Sequence, residues 1–200
     1  KVMSDSPHVM LSGRGADSFA KEQGLEIVDQ NYFITKRRER SLEKIKDIEK
    51  TEKVSDNFHE ELINSKIGTV GCVVLDKKGN LYAGTSTGGM TNKMPGRVGD
   101  SPIIGSGTWA QNGFCAVSTT GHGEFFIKYQ VAREVCVRME YQGKTISESS
   151  EEILNELKTI NALGGLIAID KEGNIAMPFN TDGMIRGSIS EKNDVNVEIY

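Results

Sequence analysis

Two hundred residues with a net charge of −4, 37% of them hydrophobic and 26% charged, suffice for one sizeable domain with its own core. The acidic balance offers no basic field for nucleic acid or an anionic membrane, and no apolar run approaches the length of a bilayer span. Cys72, Cys115 and Cys136 are widely spaced and form no C-x-x-C pair. That pattern argues against zinc and dithiol redox sites, and for small buried hydrophobes in a reducing compartment. The opening residues Lys1-Val2-Met3-Ser4 show no signal peptide, so a cytoplasmic location is expected, with a lost leader left open.

The chain divides near residue 67. Before it, Ala16 to Gly24 predicts a short helix closed by glycine. Arg37 to Lys53 places Leu42, Ile45 and Ile48 on one narrow stripe. Segment 36–60 balances acids and bases around few large apolar residues, which predicts a solvated helix and a mobile linker over about 36–66, with His59 inside it.

Beyond residue 67 the pattern is richer. Val70 to Leu75, preceded by Thr69, reads as a buried strand, and Ile67–Asp76 pairs with Leu81–Thr87 around the turn Lys77-Lys78-Gly79-Asn80. Residues 88–108 are rich in glycine and proline and predict a long loop of the kind that compact domains keep for function. Phe114 to Thr119 reads as a further buried strand. It runs into Thr120-Gly121-His122-Gly123-Glu124, the expected start of one long helix with Phe125, Tyr129, Ala132, Cys136 and Met139 on one face. A second helix, Ser147 to Ile160, opens with serines as caps.

Gly165–Asp170 and Asn174–Phe179 repeat the strand–turn–strand pattern around Lys171-Glu172-Gly173-Asn174. The echo of LDKKGN in IDKEGN is turn chemistry shared by two hairpins, not a repeat. Val195 to Tyr200 reads as a last edge strand. Strands, two helices and strands again predict an α+β layered sandwich.

Few side chains suggest chemistry by themselves. A threonine hydroxyl is a weak nucleophile without a base. Cleavage before Thr69 would free an α-amine on the same residue, whose reference pKa of about 7.7–8.0 suits a base near neutrality. Glycine at 68 lets the hydroxyl approach the preceding carbonyl. Thr69 equally reads as an ordinary strand residue, and Arg97 with Asp100 as a surface ion pair. His122-Gly123-Glu124 matches half of a zinc-deaminase signature, but the P-C-x-x-C half is absent.

Taken together, IGTVGCVVLD, GTSTGGMTNKMPGRVGDSPIIGSGTWA, AVSTTGHGEFFI and GGLIAID…MPFNTDGMIRG resemble the plant-type asparaginase/isoaspartyl aminopeptidase family of Ntn hydrolases. The likeness covers 67–189, and Ser6-Pro7-His8 with GADSFAKEQG resembles the family's upstream subunit. It implies an αββα four-layer sandwich and a precursor that cuts itself between Gly68 and Thr69. Residues 1–68 would then be the C-terminal part of an α-subunit and 69–200 a β-subunit.

By the same resemblance, Thr69 attacks the side-chain amide of asparagine or an isoaspartyl peptide bond. Thr87 bonds the nucleophile, Arg97 holds the substrate α-carboxylate and Asp100 its α-ammonium. Thr120 and the Gly121 N–H stabilise the oxyanion, and Gly123 lines the site. The resemblance implies no organic cofactor, a structural Na⁺ or regulatory K⁺ (Ser6-Pro7-His8 matches a cation-binding loop), and a homodimer of αβ units. Glycosylasparaginase is the nearest alternative activity, and an inactive incomplete fragment is another. Against the family pattern, the upstream half of the α-subunit is missing, with its His-Gly-Gly strand and sodium-binding loop.

Overall fold

The computed structural model describes residues 1–51, 68–191 and 193–200. They divide into two units, Lys1–Lys44 and Ile45–Tyr200. The expected linker beyond Thr51, including His59 and Ile67, lies outside the described residues.

The first unit is helical. It holds α1 (Val2–Asp5), α2 (Gly13–Glu22), a 3-10 turn at Gln30–Phe33 and the start of α3 (Lys36–Thr51). Helix α2 begins at Gly13 rather than Ala16. At its end the Gly24 N–H donates to the Lys21 carbonyl and the Leu25 N–H to the Ala20 carbonyl, both at 3.0 Å. These are the paired bonds of a helix that stops on glycine.

In the second unit, β1 (Val70–Leu75) and β2 (Leu81–Ser86) form an antiparallel hairpin with Val70 opposite Ser86 and Leu75 opposite Leu81. Asp76 builds its turn. The Oδ1 of Asp76 accepts the Lys78 and Asn80 N–H groups, both at 2.8 Å, while Asn80 Nδ2 donates to Oδ2 at 2.9 Å. Asp170 does the same in the second hairpin, accepting from Glu172 N–H at 3.0 Å, Asn174 N–H at 2.8 Å and Asn174 Nδ2 at 2.8 Å. An aspartate side chain that satisfies the turn's backbone donors explains the shared D-K-x-G-N sequence.

A four-stranded antiparallel sheet follows, in the order β3 (Thr108–Gln111), β4 (Cys115–Gly121), β5 (Gly164–Asp170) and β6 (Ile175–Ala176). The hairpin packs on one face of it. Thr85 Oγ1 lies 2.6 Å from Ser118 Oγ and donates to the Gly107 carbonyl at 2.9 Å. Gly71 sits so close to Ser118 that a Cβ there would overlap the serine hydroxyl.

On the sheet's other face lie α4 (Gly123–Lys128), α5 (Val131–Gln142) and α6 (Ile146–Thr159). Strand alternation sends Cys115 and Val117 to that side, where they meet Phe126, Val135, Ile153, Leu157 and Leu166 in one buried cluster. The ribbon β7 (Arg186–Ser190) with β8 (Asn193–Glu198) stands as a separate two-stranded sheet.

Four expectations need correction. The β1 run is not a buried strand: Val70 is 67% exposed, Val74 44% exposed, and Cys72 shares their outward face, because the hairpin packs through one side only. The long loop stands where it was expected and runs into β3, a four-residue strand too short and mixed (Thr-Trp-Ala-Gln) to show a pattern in the sequence. The single helix after Thr120 is a strand end followed by two helices. Gln130, in left-handed conformation, breaks them apart so that the Ala132 and Arg133 N–H groups reach the Ser106 and Gly105 carbonyls at 3.2 and 2.8 Å. The cap of α6 is Thr145, paired reciprocally with Glu148, and not a serine. Strand β6 shrinks to two residues plus a Gly165–Phe179 bridge, since Pro178 has no N–H to donate. Strand β7 was not foreseen.

The Gly71–Ser118 approach sets a test of the sheet stacking. Gly71→Ala is expected to destabilise the protein by about 1–3 kcal/mol, the usual range for overpacking a tight interior contact. Ser118→Gly in the same chain should restore much of the loss. Urea unfolding of the single and double variants checks both, and an unaltered midpoint for Gly71→Ala would refute the close packing.

Candidate active site

Thr69 stands immediately before β1 and Thr87 immediately after β2, so the hairpin register brings the two hydroxyls together. Thr69 Oγ1 donates to Thr87 Oγ1 at 3.1 Å, and the Gly89 N–H donates to the same oxygen at 3.0 Å. Thr87 is thereby held as an acceptor for the Thr69 proton. Gly88 is pinned from the other side by Lys93 Nζ, which donates to its carbonyl at 2.9 Å. Gly68 is exposed, and a Cβ on it would meet nothing within 4 Å.

Alternation extends the picture. Thr69 shares the inward face of the hairpin with Gly71, and Thr87 shares it with Thr85. Thr120 shares with Ser118 the face of β4 on which that hairpin packs. Gly121 ends β4 opposite Gly164, and His122 occupies the N-cap position of α4.

Beside Thr87 opens a cavity of about 390 Å³, walled by Thr85 to Gly89, Lys93, Arg97 to Gly99, Ser101 and Pro102. Arg97 reaches into this wall as an ion pair. Its Nε donates to Glu124 Oε1 at 2.8 Å and its Nη2 to Glu124 Oε2 at 2.9 Å. That hydrogen bonding raises the guanidinium pKa further and holds the Glu124 carboxyl below its ordinary value.

Asp100 is no surface residue. It is 6% exposed, and Thr119 Oγ1 donates to its Oδ2 at 3.0 Å. Burial pushes its carboxyl above the usual aspartate range, with the Thr119 bond and the Arg97 charge opposing that shift. Gly123 closes the cluster. A Cβ there would stand 3.0 Å from Arg97 Nη2 and 3.0 Å from Asp100 Oδ1, so glycine keeps the space over both groups open.

The structure thus joins Thr69 to Thr87, and Arg97 to Asp100 and Gly123. Thr120 and Gly121 stand at the same end of β4 as the Gly123 corner. Three contributors went unread in the sequence. Glu124 was noticed only as half of an unrelated metal signature, Thr119 as a strand residue, and Lys93 not at all. An acid next to the glycine that lines a basic side chain was the available signal for Glu124.

In the first unit, Ser6 Oγ donates to the Val2 carbonyl at 2.8 Å and accepts the His8 N–H at 3.1 Å. The turn at Ser6-Pro7-His8 thus directs its hydroxyl to its own backbone. Among the described residues no group of His, Cys, Asp and Glu could hold a metal, and no helix is long and apolar enough to cross a membrane.

A mixed helix-and-sheet unit with paired threonine hydroxyls beside a cavity walled by Arg97 is what the comparisons with known proteins bear on. Residues 1–199 match the family model described as Asparaginase, and the chain belongs to that family. It is 49% identical over 187 residues to the isoaspartyl peptidase of Escherichia coli (strain K12), covering 92% of this chain and 58% of that protein. It is 41% identical over 235 residues to a putative isoaspartyl peptidase/L-asparaginase of Dictyostelium discoideum, covering all of this chain and 67% of that one. The mouse isoaspartyl peptidase/L-asparaginase is 46% identical over 184 residues, 92% of this chain and 54% of its own length. The chain therefore spans little more than half the length of the bacterial and mouse relatives.

Asp100 gives a pH test. Its unfolded carboxyl loses a proton near 3.8 and its folded carboxyl at higher pH, so it lowers stability as pH rises through that window, fully so above it. Asp100→Asn removes the titration while keeping an acceptor for Thr119. Its melting temperature is expected to gain on wild type as pH rises from about 3.8 through the raised value and to keep a constant lead above it. A lead that shrinks with rising pH, read by calorimetry, would contradict the buried charge.

Proposed function

We propose that this chain is the catalytic part of a threonine amidohydrolase that cleaves β-aspartyl amide bonds, in L-asparagine and in isoaspartyl dipeptides. The observation that carries the reading is the Thr69–Thr87 hydroxyl pair beside a cavity walled by Arg97. Family membership and the names of the relatives point the same way. The reading includes autocleavage of Gly68–Thr69, and an αββα sandwich of which the hairpin, the four-stranded sheet and α4–α6 supply three layers. A homodimer of αβ units completes it.

Scission frees the Thr69 α-amine. That amine takes the Thr69 hydroxyl proton, and Oγ1 attacks the substrate β-carbonyl while the Thr87 hydroxyl, its partner at 3.1 Å, turns to donate to the oxygen so freed. Negative charge gathers on the carbonyl oxygen, where the Thr120 hydroxyl and Gly121 N–H donate to it. Collapse expels ammonia, or the amine of the following residue, which leaves with the proton from Thr69. A water activated by the same α-amine then hydrolyses the β-aspartyl ester.

Throughout, the substrate's α-carboxylate rests on Arg97 and its α-ammonium on Asp100, over the open face of Gly123. The opposite charges in that corner suit an amino-acid head group and disfavour a plain amide lacking one. No step requires a metal or an organic cofactor.

Thr69→Ala tests the reading. The intact protein should yield fragments that part at Gly68–Thr69 by mass spectrometry and release aspartate from L-asparagine or β-aspartyl-leucine. Thr69→Ala should stay in one piece and lose at least about 10³-fold in kcat, the scale for removing a nucleophile. Undiminished hydrolysis by Thr69→Ala would overturn the assignment. A preference for glycosyl-asparagine over both substrates would move the activity to the glycosylasparaginase alternative.

A further inference from the structure

Arg97 is the group proposed to bind the substrate carboxylate, yet part of its donor set is already engaged by the protein. A guanidinium carries five N–H donors along three edges. Glu124 takes one whole edge, with Oε1 on Nε and Oε2 on Nη2. The edge formed by Nη1 and the second Nη2 hydrogen is the one that a carboxylate can still meet bidentately.

The surroundings fix where that edge lies. A Cβ on Gly99 would stand 3.0 Å from Arg97 Nη1, and a Cβ on Gly123 would stand 3.0 Å from Nη2 and from Asp100 Oδ1. Two glycines therefore stand close against Nη1 and Nη2, where any side chain would crowd the remaining edge. Arg97 lines the cavity, with its side chain 15% exposed, whereas Glu124 lies outside the cavity lining and is 44% exposed. The acid supports the arginine from its far side and does not stand in the substrate's place.

We infer that Glu124 is a positioning residue. It fixes the plane of the Arg97 guanidinium so that only the Nη1/Nη2 edge is offered, and so selects substrates that carry a free α-carboxylate next to the α-ammonium site at Asp100. The inference rests on the proposed function and deepens it, by naming what sets specificity at the head-group end. Without Glu124 the long arginine side chain has other rotamers within reach, and the carboxylate must order it on binding. A Lys in place of Arg97 could not be oriented this way, because an ammonium has no plane.

The test compares wild type with Glu124→Gln, which keeps the shape but pairs one amide N–H₂ against an arginine donor. Glu124→Gln should raise KM for L-asparagine and the inhibition constant of L-aspartate about tenfold, the weight of one charge-assisted contact, with kcat held within about threefold. On asparagine whose α-carboxylate is blocked as an amide, the two proteins should have equal kcat/KM. With Arg97→Ala already present, adding Glu124→Gln should change nothing further.

An unchanged KM, a fall in kcat alone, or an equal loss on the blocked substrate overturns the inference. So does a Glu124→Gln protein that no longer cuts at Gly68–Thr69, since the role would then be structural. The two readings fail differently. A wild type that hydrolyses neither asparagine nor β-aspartyl-leucine overturns the function and the inference together. An active wild type matched by Glu124→Gln overturns the inference alone.

Discussion

The register of one β-hairpin governs where the two threonine hydroxyls of the candidate site meet. Because Val70 opposes Ser86, the residues just outside the ladder, Thr69 and Thr87, face each other and their hydroxyls meet at 3.1 Å. That register is set at the far end of the hairpin, where the Asp76 carboxylate accepts two backbone N–H groups and an asparagine amide. A slip of one residue would turn every side chain of one strand to the opposite face, carrying Thr69 away from both Thr87 and the sheet. Gly71 adds a second lock, since only its register position tolerates Ser118 so near.

The other end of the site is organised by charge. Asp100 is buried and destabilised as a carboxylate, Arg97 stands beside it, and Glu124 holds Arg97. A buried charge lacking a full complement is the arrangement expected where a ligand completes the set. An α-ammonium at Asp100 and an α-carboxylate at Arg97 would do so together. Burial of Asp100 lowers stability where its carboxyl is ionised, and Gly123 leaves the space beside it and Arg97 open.

Much of this was legible in the chain. D-K-K-G-N and D-K-E-G-N announced two hairpins, and both turns are built on the aspartate that opens the motif. The glycine- and proline-rich stretch 88–108 announced a long loop, and residues of that loop wall the cavity beside Thr87. What stayed hidden depends on tertiary partners. Gln130 breaks a periodic helical run because carbonyls of Gly105 and Ser106 compete for its N–H groups. Cys72 looked buried because its neighbours are apolar, yet the hairpin covers one face only. Glu124 gained its partner from a loop far away in sequence, a pairing that no local pattern encodes. Asp100 beside Arg97 suggested an ion pair at the surface, and only packing shows it to be interior.

The central claim is that Thr69 is the atom donor for a covalent step. Rapid acid quenching during turnover of L-asparagine, followed by mass spectrometry, tests it most directly. The account predicts an added aspartyl group on the peptide that begins at Thr69, removed by hydroxylamine as an ester would be. An aspartyl adduct on another residue, or turnover with no adduct at Thr69 under conditions where ester formation outpaces its hydrolysis, would contradict it.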